Sequence, residues 1–338
     1  MTAGPRFVVV GAGAIGAYVG AALARGGADV TLIARGAHLE AMRRHGVQVL
    51  SPRGDFHVPV DATDDLDAIE GADAVILAVK SYSLAELAPA ISARLAPGAA
   101  VVVAQNGIPW WYLRSLGDTS ELESVDPGGA IAAAIDDDHV VGCVVYCSTA
   151  IEAPGVIRHS EGTRFTIAEP FRAANPQRCE AISEAFRAGG LKCPVEHDLG
   201  EQIWLKLVGN VAFNSVSVLT GCTLGELGRL PETRALLRSM LDESAAVAGA
   251  LGVTLPVSID HRLERGIAVG DHKPSTLQDL EAGKPLEIDC LSGAVVELAE
   301  RLGVDVPQTR AIHACVQLLD ARRQGWSSPA TSGVEMRA

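Results

Sequence analysis

The chain has 338 residues, of which 48% are hydrophobic and 20% charged, a composition that predicts folded domains with sizeable cores and excludes a disordered chain. Its 41 Asp and Glu outnumber its 28 Lys and Arg, giving a formal net charge of -13 at pH 7. This charge argues against a nucleic acid or an anionic membrane as partner. The length predicts about two domains, which we place at residues 1–198 and 199–338.

The cysteines and the apolar runs bear on the compartment. Seven cysteines form an odd set without a C-x-x-C pair, so we expect them to be reduced and the protein to be cytoplasmic. The uncharged segment 7–23 resembles a signal-peptide core, but a nucleotide-binding turn explains its glycines better. We expect no other run to be long and apolar enough to span a membrane.

A glycine-rich turn follows the first predicted strand, Phe7 to Val10, and precedes a predicted helix from Ala17 to Gly26. This is the strand-turn-helix context that G-x-G-x-x-G requires for binding a dinucleotide. Its first glycine permits the tight turn, its second lets the backbone approach a pyrophosphate, and its third lets helix and strand pack closely. The predicted cofactor-binding residues of the turn are Gly11, Ala12, Gly13, Ala14, Ile15 and Gly16.

The next predicted strand, Asp29 to Ala34, ends at Arg35, about where an NAD-preferring fold carries an Asp or Glu on the ribose hydroxyls. An acidic side chain there would repel a 2′-phosphate, whereas a guanidinium can bind it with two hydrogen bonds. We therefore predict NADPH over NADH as cofactor. The alternative is that Arg35 is only a solvated charge at the end of a strand.

Strand and helix patterns continue to alternate, with strands at 72–79 and 99–104 and a helix from Leu84, as in a doubly wound parallel sheet. Ligands of such sheets bind beyond the carboxyl ends of the strands, where Lys80 and Asn106 stand. Both are candidate cofactor-binding residues, and Asn106 is also a candidate for the substrate. The alternative is an exposed Lys and a turn-forming Asn-Gly pair.

Residues 140–169 change to short alternating runs, which predict antiparallel strands closing the first domain. The preceding segment 116–138 has the look of an insertion or lid. A helix is predicted at 177–188. Beyond the boundary the pattern is helical, with predicted helices at 204–214, 231–251, 257–270, 277–283, 288–302 and 307–319.

The helix from Trp204 to Asn214 carries Lys206, Asn210 and Asn214 at i, i+4 and i+8 in an otherwise apolar run. On an α-helix these residues share one narrow face, which Ser217 and Gly221 extend. Buried polar groups need partners, and a polar ligand would supply them. The alternative is that these side chains bond to neighbouring backbone and do nothing else.

The segment 275–289 offers a hydroxyl, Ser275, and a carboxylate, Glu287, on either side of a turn at Gly283. Glu287 is placed to pair with Lys206, which would then stay protonated near neutral pH and be ready to donate a proton. The nine histidines are scattered without metal-ligand spacing, so we expect no metal.

Together these motifs resemble the ketopantoate reductase family over nearly the whole chain. The most restrictive part of the likeness is the Lys-Asn-Asn helix followed by Leu-Gln-Asp, 277–279, and Glu-Ile-Asp, 287–289. The resemblance implies an α/β Rossmann-type dinucleotide-binding domain followed by an all-helical C-terminal domain. It also implies NADPH-dependent reduction of 2-dehydropantoate to pantoate in pantothenate and coenzyme A biosynthesis.

The resemblance assigns roles to individual residues. Lys206 is similar to the family's general acid, and Glu287 to the carboxylate that supports it. Asn210, Asn214 and Ser275 resemble substrate-binding residues, and Lys80 and Asn106 resemble residues that line the cofactor and substrate cleft. The implied partner is a small 2-oxo acid, and the helical domain is compatible with a homodimer.

The chain departs from the family pattern at several positions. The residues after Gln105-Asn-Gly107 are bulky, and unexpected residues stand at Pro274, Thr276, Leu286, Cys290 and Ser292. These changes leave open a runner-up activity on another branched or bulkier 2-oxo acid. A hypothesis of a different class is an NADP-sensing regulatory protein without turnover, but this does not explain why Lys206 and Glu287 are both present.

Overall fold

The computed structural model describes residues 4–171 and 177–325. The chain divides into two compact units, Met1–Ile203 and Trp204–Ala338. The boundary predicted from sequence, between residues 198 and 199, lies slightly earlier than this division.

The first unit is built on a nine-stranded sheet in the order β4-β3-β9-β8-β7-β6-β1-β2-β5. Its strands are β1 (Arg6–Val10), β2 (Asp29–Ile33), β3 (Val47–Leu50), β4 (Phe56–Val58), β5 (Asp61–Thr63), β6 (Ala74–Leu77), β7 (Ala100–Val103), β8 (Val140–Ala153) and β9 (Val156–Ala168). Six neighbours, β5-β2-β1-β6-β7-β8, run parallel. When these six strands are numbered by their position along the chain, their spatial order in the sheet is 3-2-1-4-5-6, the order of a dinucleotide-binding fold.

The central parallel strands β1, β6 and β7 are buried and rich in Val, as expected when helices cover both sides of a sheet. β8 and β9 form the predicted antiparallel pair. Two pairings were not predicted: β9 also pairs in parallel with β3, and β3 and β4 form an antiparallel hairpin at this edge. Short strands such as these carry too few residues for a clear alternating pattern.

The helices of the first unit are α1 (Ala14–Arg25), α2 (Gly36–His45), α3 (Leu84–Ser92), α4 (Tyr112–Ser115), α5 (Ala130–Ala134) and α6 (Gln177–Ala188). The bounds of α6 agree with the prediction. The predicted start of α1 at Ala17 was wrong, because the helix begins inside the glycine motif, with Gly13 as its N-cap.

Residues 116–138, interpreted from the sequence as an insertion or lid, contain a short helix packed on the first unit. These residues are part of the crossover between the parallel strands β7 and β8, and α5 packs on α3. The buried carboxylate of Asp126 accepts hydrogen bonds from the N–H groups of Ile131 and Ala132, at 2.7 and 2.9 Å, and so caps α5. Arg114 forms a two-bond pair with Asp137 that holds the end of the crossover.

The second unit is helical, and α7, which contains the division between the units, leads into it. Its helices are α7 (Gly200–Gly209), α8 (Ser215–Thr220), α9 (Leu224–Leu227), α10 (Pro231–Ala250), α11 (Ile259–Ile267), α12 (Ser275–Glu281), α13 (Ala294–Leu302) and α14 (Pro307–Arg323). Each helix predicted in this unit overlaps one of these helices. Pro231 and Pro307 open α10 and α14 at positions where a missing N–H costs nothing.

Two segments of the second unit are π-helical, Asn210–Asn214 and Asp289–Gly293, and they lie against each other. The first joins α7 to α8, and the second leads into α13. A π-turn closes i→i+5 hydrogen bonds, and such turns occur frequently at functional sites. The apolar pattern predicted helix at both places but carried no sign of the wider turn.

One continuous helical stretch, Gly200–Thr220, is long and apolar enough to cross a membrane by length and composition, contrary to the expectation that no such run exists. Its apolar window is 72% buried inside the protein. Burial of this kind is what a core helix of a folded protein shows, and the helix forms contacts with α10 and α12.

Candidate active site

The glycine turn connects β1 to α1 and is fixed by close backbone contacts. A Cβ on Gly11, which has φ 92°, would lie 2.7 Å from the backbone nitrogen of Val79, and a Cβ on Gly16 would overlap the carbonyl oxygen of Gly11. Glycine is therefore required at both positions. Since Val79 follows β6, the turn lies where the strand order reverses between β1 and β6, which is the usual ligand site of these sheets.

Gly13 differs from the other two glycines, because a Cβ there would meet no atom within 4 Å. The space beside it is open, as needed if a pyrophosphate approaches the backbone. Gly13 is the N-cap of α1, no side chain caps the helix, and no acidic residue stands in its first turn. A helix N-terminus of this kind favours an anion, so these residues fit a dinucleotide.

Arg35 follows β2 and is exposed, as the N-cap of α2. The carbonyl oxygen of Ile33 accepts hydrogen bonds from the N–H groups of Gly11 and Ala12, at 3.2 and 2.8 Å. These bonds tie the end of β2 to the glycine turn. Arg35, the residue predicted to bind the 2′-phosphate, therefore lies two positions after Ile33, which is bonded to the glycine turn predicted to bind the pyrophosphate.

His38, which the sequence did not single out, lies in the first turn of α2. Its Nδ1 accepts a hydrogen bond from the N–H of Gly155 at 3.0 Å, so that nitrogen carries no proton. Burial lowers the pKa of His38, and a hydrogen bond with the backbone of Ala12 opposes this shift. The imidazole is neutral in this arrangement. At the start of α2, the positive charge therefore comes from Arg35 and not from His38.

Lys80 and Asn106 stand at neighbouring strand ends, as predicted. The side-chain amide of Gln105 donates to the carbonyl oxygen of Val79 at 2.9 Å, which joins the segment after β7 to the segment after β6. Both Lys80 and Asn106 are half-buried. The structure therefore brings the glycine turn, Arg35, Lys80 and Asn106 to the same carboxyl edge of β2, β1, β6 and β7.

The bulky residues after Asn106 are core residues. Trp110, Trp111 and Tyr112 are all buried, and a Cβ on Gly142 of β8 would lie 2.7 Å from the Trp111 ring. The indole nitrogens of both tryptophans are buried without a hydrogen-bond partner among the described residues. The Trp111 ring therefore packs on β8, and all three aromatic side chains are part of the core.

In the second unit, Lys206 and Asn210 are half-buried, and Asn214 is 7% exposed. The expectation of one straight face was wrong in detail, since the π-turn displaces Asn214 from the i, i+4 line of an α-helix. Nδ2 of Asn214 donates to Oγ1 of Thr276 at 3.1 Å, and Thr276 is 3% exposed. In the sequence, Thr276 stands out only as a departure from the family pattern.

Ser275 and Thr276 begin α12, but they point differently. Ser275 is exposed at the first position of the helix, whereas Thr276 is buried against Asn214. Glu287 is 8% exposed and lies two residues before the second π-helical segment. The Lys206–Glu287 pair stays a prediction.

The continuation of the stripe beyond Asn214 is structural. Ser217 is fully buried and donates to the carbonyl oxygen of Cys222 at 2.5 Å. Gly221, with φ 72°, is the left-handed C-cap of α8. These two residues therefore follow the alternative in which side chains of the stripe bond to neighbouring backbone, because both serve to end the helix.

A buried pair behind the second π-helical segment was not predicted. Oγ of Ser292 and Nδ1 of His313 lie 2.8 Å apart, and both side chains are buried. Burial lowers the pKa of His313, while the carboxylate of Asp289 opposes this shift. His313 stands on α14, far along the chain, so no local pattern could have revealed the pair.

Among the described residues, the groupings of other metal-ligating and thiol side chains point to no further site. Within 4–171 and 177–325, no group of three or more His, Cys, Asp or Glu is placed to hold a metal ion. No disulfide joins the seven cysteines, all of which lie among the described residues. Burial raises the pKa of the Cys179 and Cys193 thiols to about 12, which keeps both protonated and unreactive.

Two family models match the chain. Ketopantoate reductase PanE/ApbA matches residues 7–170, and Ketopantoate reductase PanE/ApbA C terminal matches residues 198–320. The chain is 40% identical over 326 residues to a 2-dehydropantoate 2-reductase of Mesorhizobium japonicum, covering 95% of this chain and 100% of the relative. It is 33% identical over 324 residues to a 2-dehydropantoate 2-reductase of Halobacterium salinarum, with 95% and 100% covered.

A solved structure with the same architecture is that of a PanE/ApbA family ketopantoate reductase from Ralstonia eutropha JMP134. It superposes with a TM-score of 0.81 at 32% identity and covers 94% of this chain and 99% of its own. The likeness therefore extends over both compact units.

Proposed function

Because the chain belongs to the ketopantoate reductase family, we propose that it reduces 2-dehydropantoate to pantoate with NADPH, in pantothenate and coenzyme A biosynthesis. Members of the family are dinucleotide-dependent oxidoreductases acting on CH–OH groups. The observation that carries the proposal is the arrangement around the first π-helical segment, where Lys206 and Asn210 precede an Asn214 oriented by Thr276.

In this proposal a bound nicotinamide supplies the hydride that reduces the C2 ketone of the substrate. Nζ of Lys206 donates a proton to the oxygen on which negative charge develops, so the ketone becomes an alcohol. Glu287 keeps Lys206 protonated, and the carboxamides of Asn210 and Asn214 hold the substrate's polar groups. A positioned acid of this kind contributes roughly 10²–10⁴-fold to the rate.

The choice of NADPH rests on Arg35. Arg35 follows β2, whose end is bonded to the glycine turn, and in the proposal its guanidinium binds the 2′-phosphate. The neutral His38 of the same turn adds no charge. In the proposed complex, Lys80 and Asn106 complete the cofactor-binding edge, and Asn106 also contacts the substrate.

Three departures from the family pattern have a structural explanation that leaves the substrate-binding groups unchanged. Leu286 belongs to a buried apolar cluster of the second unit, Cys290 is 2% exposed, and Ser292 is bonded to His313 in the core. Leu286 precedes the second π-helical segment and Cys290 and Ser292 lie within it, and all three side chains are buried. This supports the family's own 2-oxo acid as substrate over a bulkier one.

Steady-state NADPH oxidation with a panel of 2-oxo acids tests the proposal. We expect the highest kcat/KM with 2-dehydropantoate, and NADH to be a poorer donor. A clear preference for a 2-oxo acid that lacks the gem-dimethyl and hydroxymethyl groups would refute the substrate assignment. NADPH binding without any turnover on the panel would favour a cofactor-sensing protein instead.

The cytoplasmic location, the homodimer and the lack of nucleic-acid or membrane partners stay predictions. The acidic net charge of -13 supports the last two exclusions.

A further inference from the structure

The turn between β8 and β9, residues 154–155, packs on α2. The N–H of Gly155 donates to Nδ1 of His38 at 3.0 Å, and the carbonyl oxygen of Gly155 accepts from the N–H of Gln48 in β3 at 2.9 Å. A Cβ on Gly155 would lie 3.1 Å from the Cβ of Ala41, which stands three residues after His38. Since residues three apart share one face of a helix, the turn contacts α2 along that face.

The imidazole of His38 also meets the glycine turn. The backbone of Ala12 opposes the lowering of the His38 pKa by burial, so the group that the ring meets is an acceptor, the carbonyl oxygen of Ala12. This bond is weak, because Nε2 of His38 is buried without a partner at normal hydrogen-bonding geometry among the described residues. His38 therefore lies between the β8–β9 turn and the backbone proposed to bind the pyrophosphate.

The start of α2 is held by few other contacts. Arg35, its N-cap, forms no side-chain capping bond, and Gly36 after it has a left-handed φ of 59°. Across residues 4–171 and 177–325, the bond from Gly155 is the one hydrogen bond of normal geometry between the first turn of α2 and another element. A segment with so few contacts opens at a low free-energy cost.

The other end of α2 is held independently. Nε of Arg43 donates to the carbonyl oxygen of Ala62 at 3.0 Å, and Nε2 of His57 donates to the carbonyl oxygen of His45. Loss of the contact at His38 would therefore free the start of the helix and leave its remaining turns in place.

The start of α2 carries the residue proposed to recognise the 2′-phosphate. An arginine side chain gives up about 2 kcal/mol of rotamer entropy when it is fixed, and an exposed one gains little from an ion pair unless its geometry is well defined. Fixing the backbone at Arg35 before the cofactor binds reduces what must be ordered on binding. The contact at His38 supplies this fixation.

From this arrangement we infer that His38 is a positioning residue for the 2′-phosphate of NADPH and acts through Arg35. Its neutral imidazole joins the first turn of α2 to the β8–β9 turn on one side and to the glycine turn on the other. The inference rests on the proposed function and deepens it, because it identifies a second residue that determines the preference for the phosphorylated cofactor.

The test measures the Kd for NADPH and for NADH in purified full-length variants. His38→Leu keeps the bulk of the side chain but removes both nitrogens, so we expect the Kd for NADPH to rise about 3- to 10-fold, the effect of losing one hydrogen bond. The Kd for NADH should stay within about twofold of wild type, because NADH has no 2′-phosphate and the glycine turn keeps its own bonds to Ile33.

Two further substitutions separate a lost hydrogen bond from a lost shape. His38→Asn keeps an acceptor on Cγ, where Nδ1 is attached, and should restore most of the NADPH affinity. His45→Asn changes an exposed histidine at the other end of α2 and should alter neither Kd.

A double variant tests whether His38 acts through Arg35. If it does, Arg35→Ala/His38→Leu should bind NADPH no more weakly than Arg35→Ala alone, because the guanidinium that His38 positions is already absent. Melting temperatures of all variants are measured in parallel, and we expect them to stay close to wild type, since the far end of α2 keeps its bonds.

The outcomes separate the inference from the function it rests on. A Kd for NADPH in His38→Leu equal to that of the wild type would overturn the inference. Equal weakening of NADPH and NADH, or independent losses that add in the double variant, would also overturn it, because His38 would then not act through Arg35. If the wild type itself binds NADH as tightly as NADPH, the proposed preference for NADPH fails, whatever the result for His38.

Discussion

Asn214 donates a hydrogen bond from Nδ2 to Oγ1 of Thr276 at 3.1 Å, and both side chains are buried. The bond engages the Nδ2 side of the carboxamide and so fixes the direction of Oδ1, which determines how Asn214 would contact a substrate in the proposed complex. Asn214 closes the first π-helical segment, and Thr276 stands in the first turn of α12. A residue that departs from the family pattern thereby orients one that matches it.

Replacing Thr276 with Val should therefore impair catalysis without a large change in shape. Val has nearly the same volume but no acceptor, so the Asn214 amide loses its partner at a cost of about 1–3 kcal/mol. We expect kcat/KM for 2-dehydropantoate to fall about 5- to 10-fold, with the amide free to rotate. Thr276→Ser keeps the hydroxyl and is the control. An unchanged kcat/KM in Thr276→Val would show that the bond does not orient a substrate-binding group.

The cofactor preference should depend on Arg35. Removing its guanidinium in Arg35→Ala takes away a charge-assisted pair with the 2′-phosphate, so the Kd for NADPH should rise about 10- to 100-fold. The Kd for NADH, which has no 2′-phosphate, should stay nearly constant. Arg44→Ala removes an exposed arginine from the same helix and should alter neither value. Parallel weakening of both cofactors in Arg35→Ala would contradict the assignment.

Two alanine substitutions in the glycine turn should have different effects, one on the stability of the fold and the other on NADPH binding. In Gly16→Ala the added methyl would overlap the carbonyl oxygen of Gly11, so we expect the free energy of unfolding to fall by about 1–3 kcal/mol. In Gly13→Ala the methyl meets open space, so stability should be kept while NADPH binding weakens at least about tenfold, since the methyl occupies the space proposed for the pyrophosphate. Calorimetry and fluorescence titration of the two variants measure these effects. A Gly13→Ala protein that binds NADPH normally would place the pyrophosphate elsewhere.

Stability should decline in mild acid because of His313. Burial lowers the pKa of His313 below its ordinary value of 6.5, so the unfolded chain takes up a proton at a higher pH than the folded protein does. The contribution of neutral His313 is therefore fully present above about pH 6.5 and is lost as the pH falls from there through the folded-state pKa. Melting temperatures between pH 7.5 and pH 5.5 should show this decline.

The matched variants identify the group responsible. His313→Gln should be less stable than wild type at pH 7.5, since the bond with Ser292 changes, but its melting temperature should vary less with pH. His261→Gln removes an exposed histidine and should keep the wild-type slope. An identical slope in His313→Gln and wild type would rule out His313 as the source.

The sequence was sufficient for those features that are encoded locally. The glycine motif lies between a strand and a helix, and each of Arg35, Lys80 and Asn106 follows a buried strand, so their common edge could be predicted from the order of elements. The Lys206, Asn210 and Asn214 spacing was visible for the same reason. Lys206, Asn210 and Asn214 are only a few positions apart, so a helical pattern is enough to relate them.

Features that depend on contacts between distant segments could not be predicted. Thr276 bonds to Asn214, Ser292 pairs with His313, and His38 bonds to Gly155, each across a long stretch of chain. The π-turn was hidden because its residues have the same apolar pattern as an α-helix. The short helix α5 within 116–138 was not predicted, because the buried Asp126 that caps it follows no local sequence pattern.

The most direct test of the account is the rate of NADPH oxidation with 2-dehydropantoate in Lys206→Ala, measured beside the Kd for NADPH. The account predicts that turnover falls about 10²–10⁴-fold, the contribution of a positioned acid, while the Kd stays within about twofold of wild type. Turnover equal to that of the wild type would contradict the role of Lys206 as the proton donor.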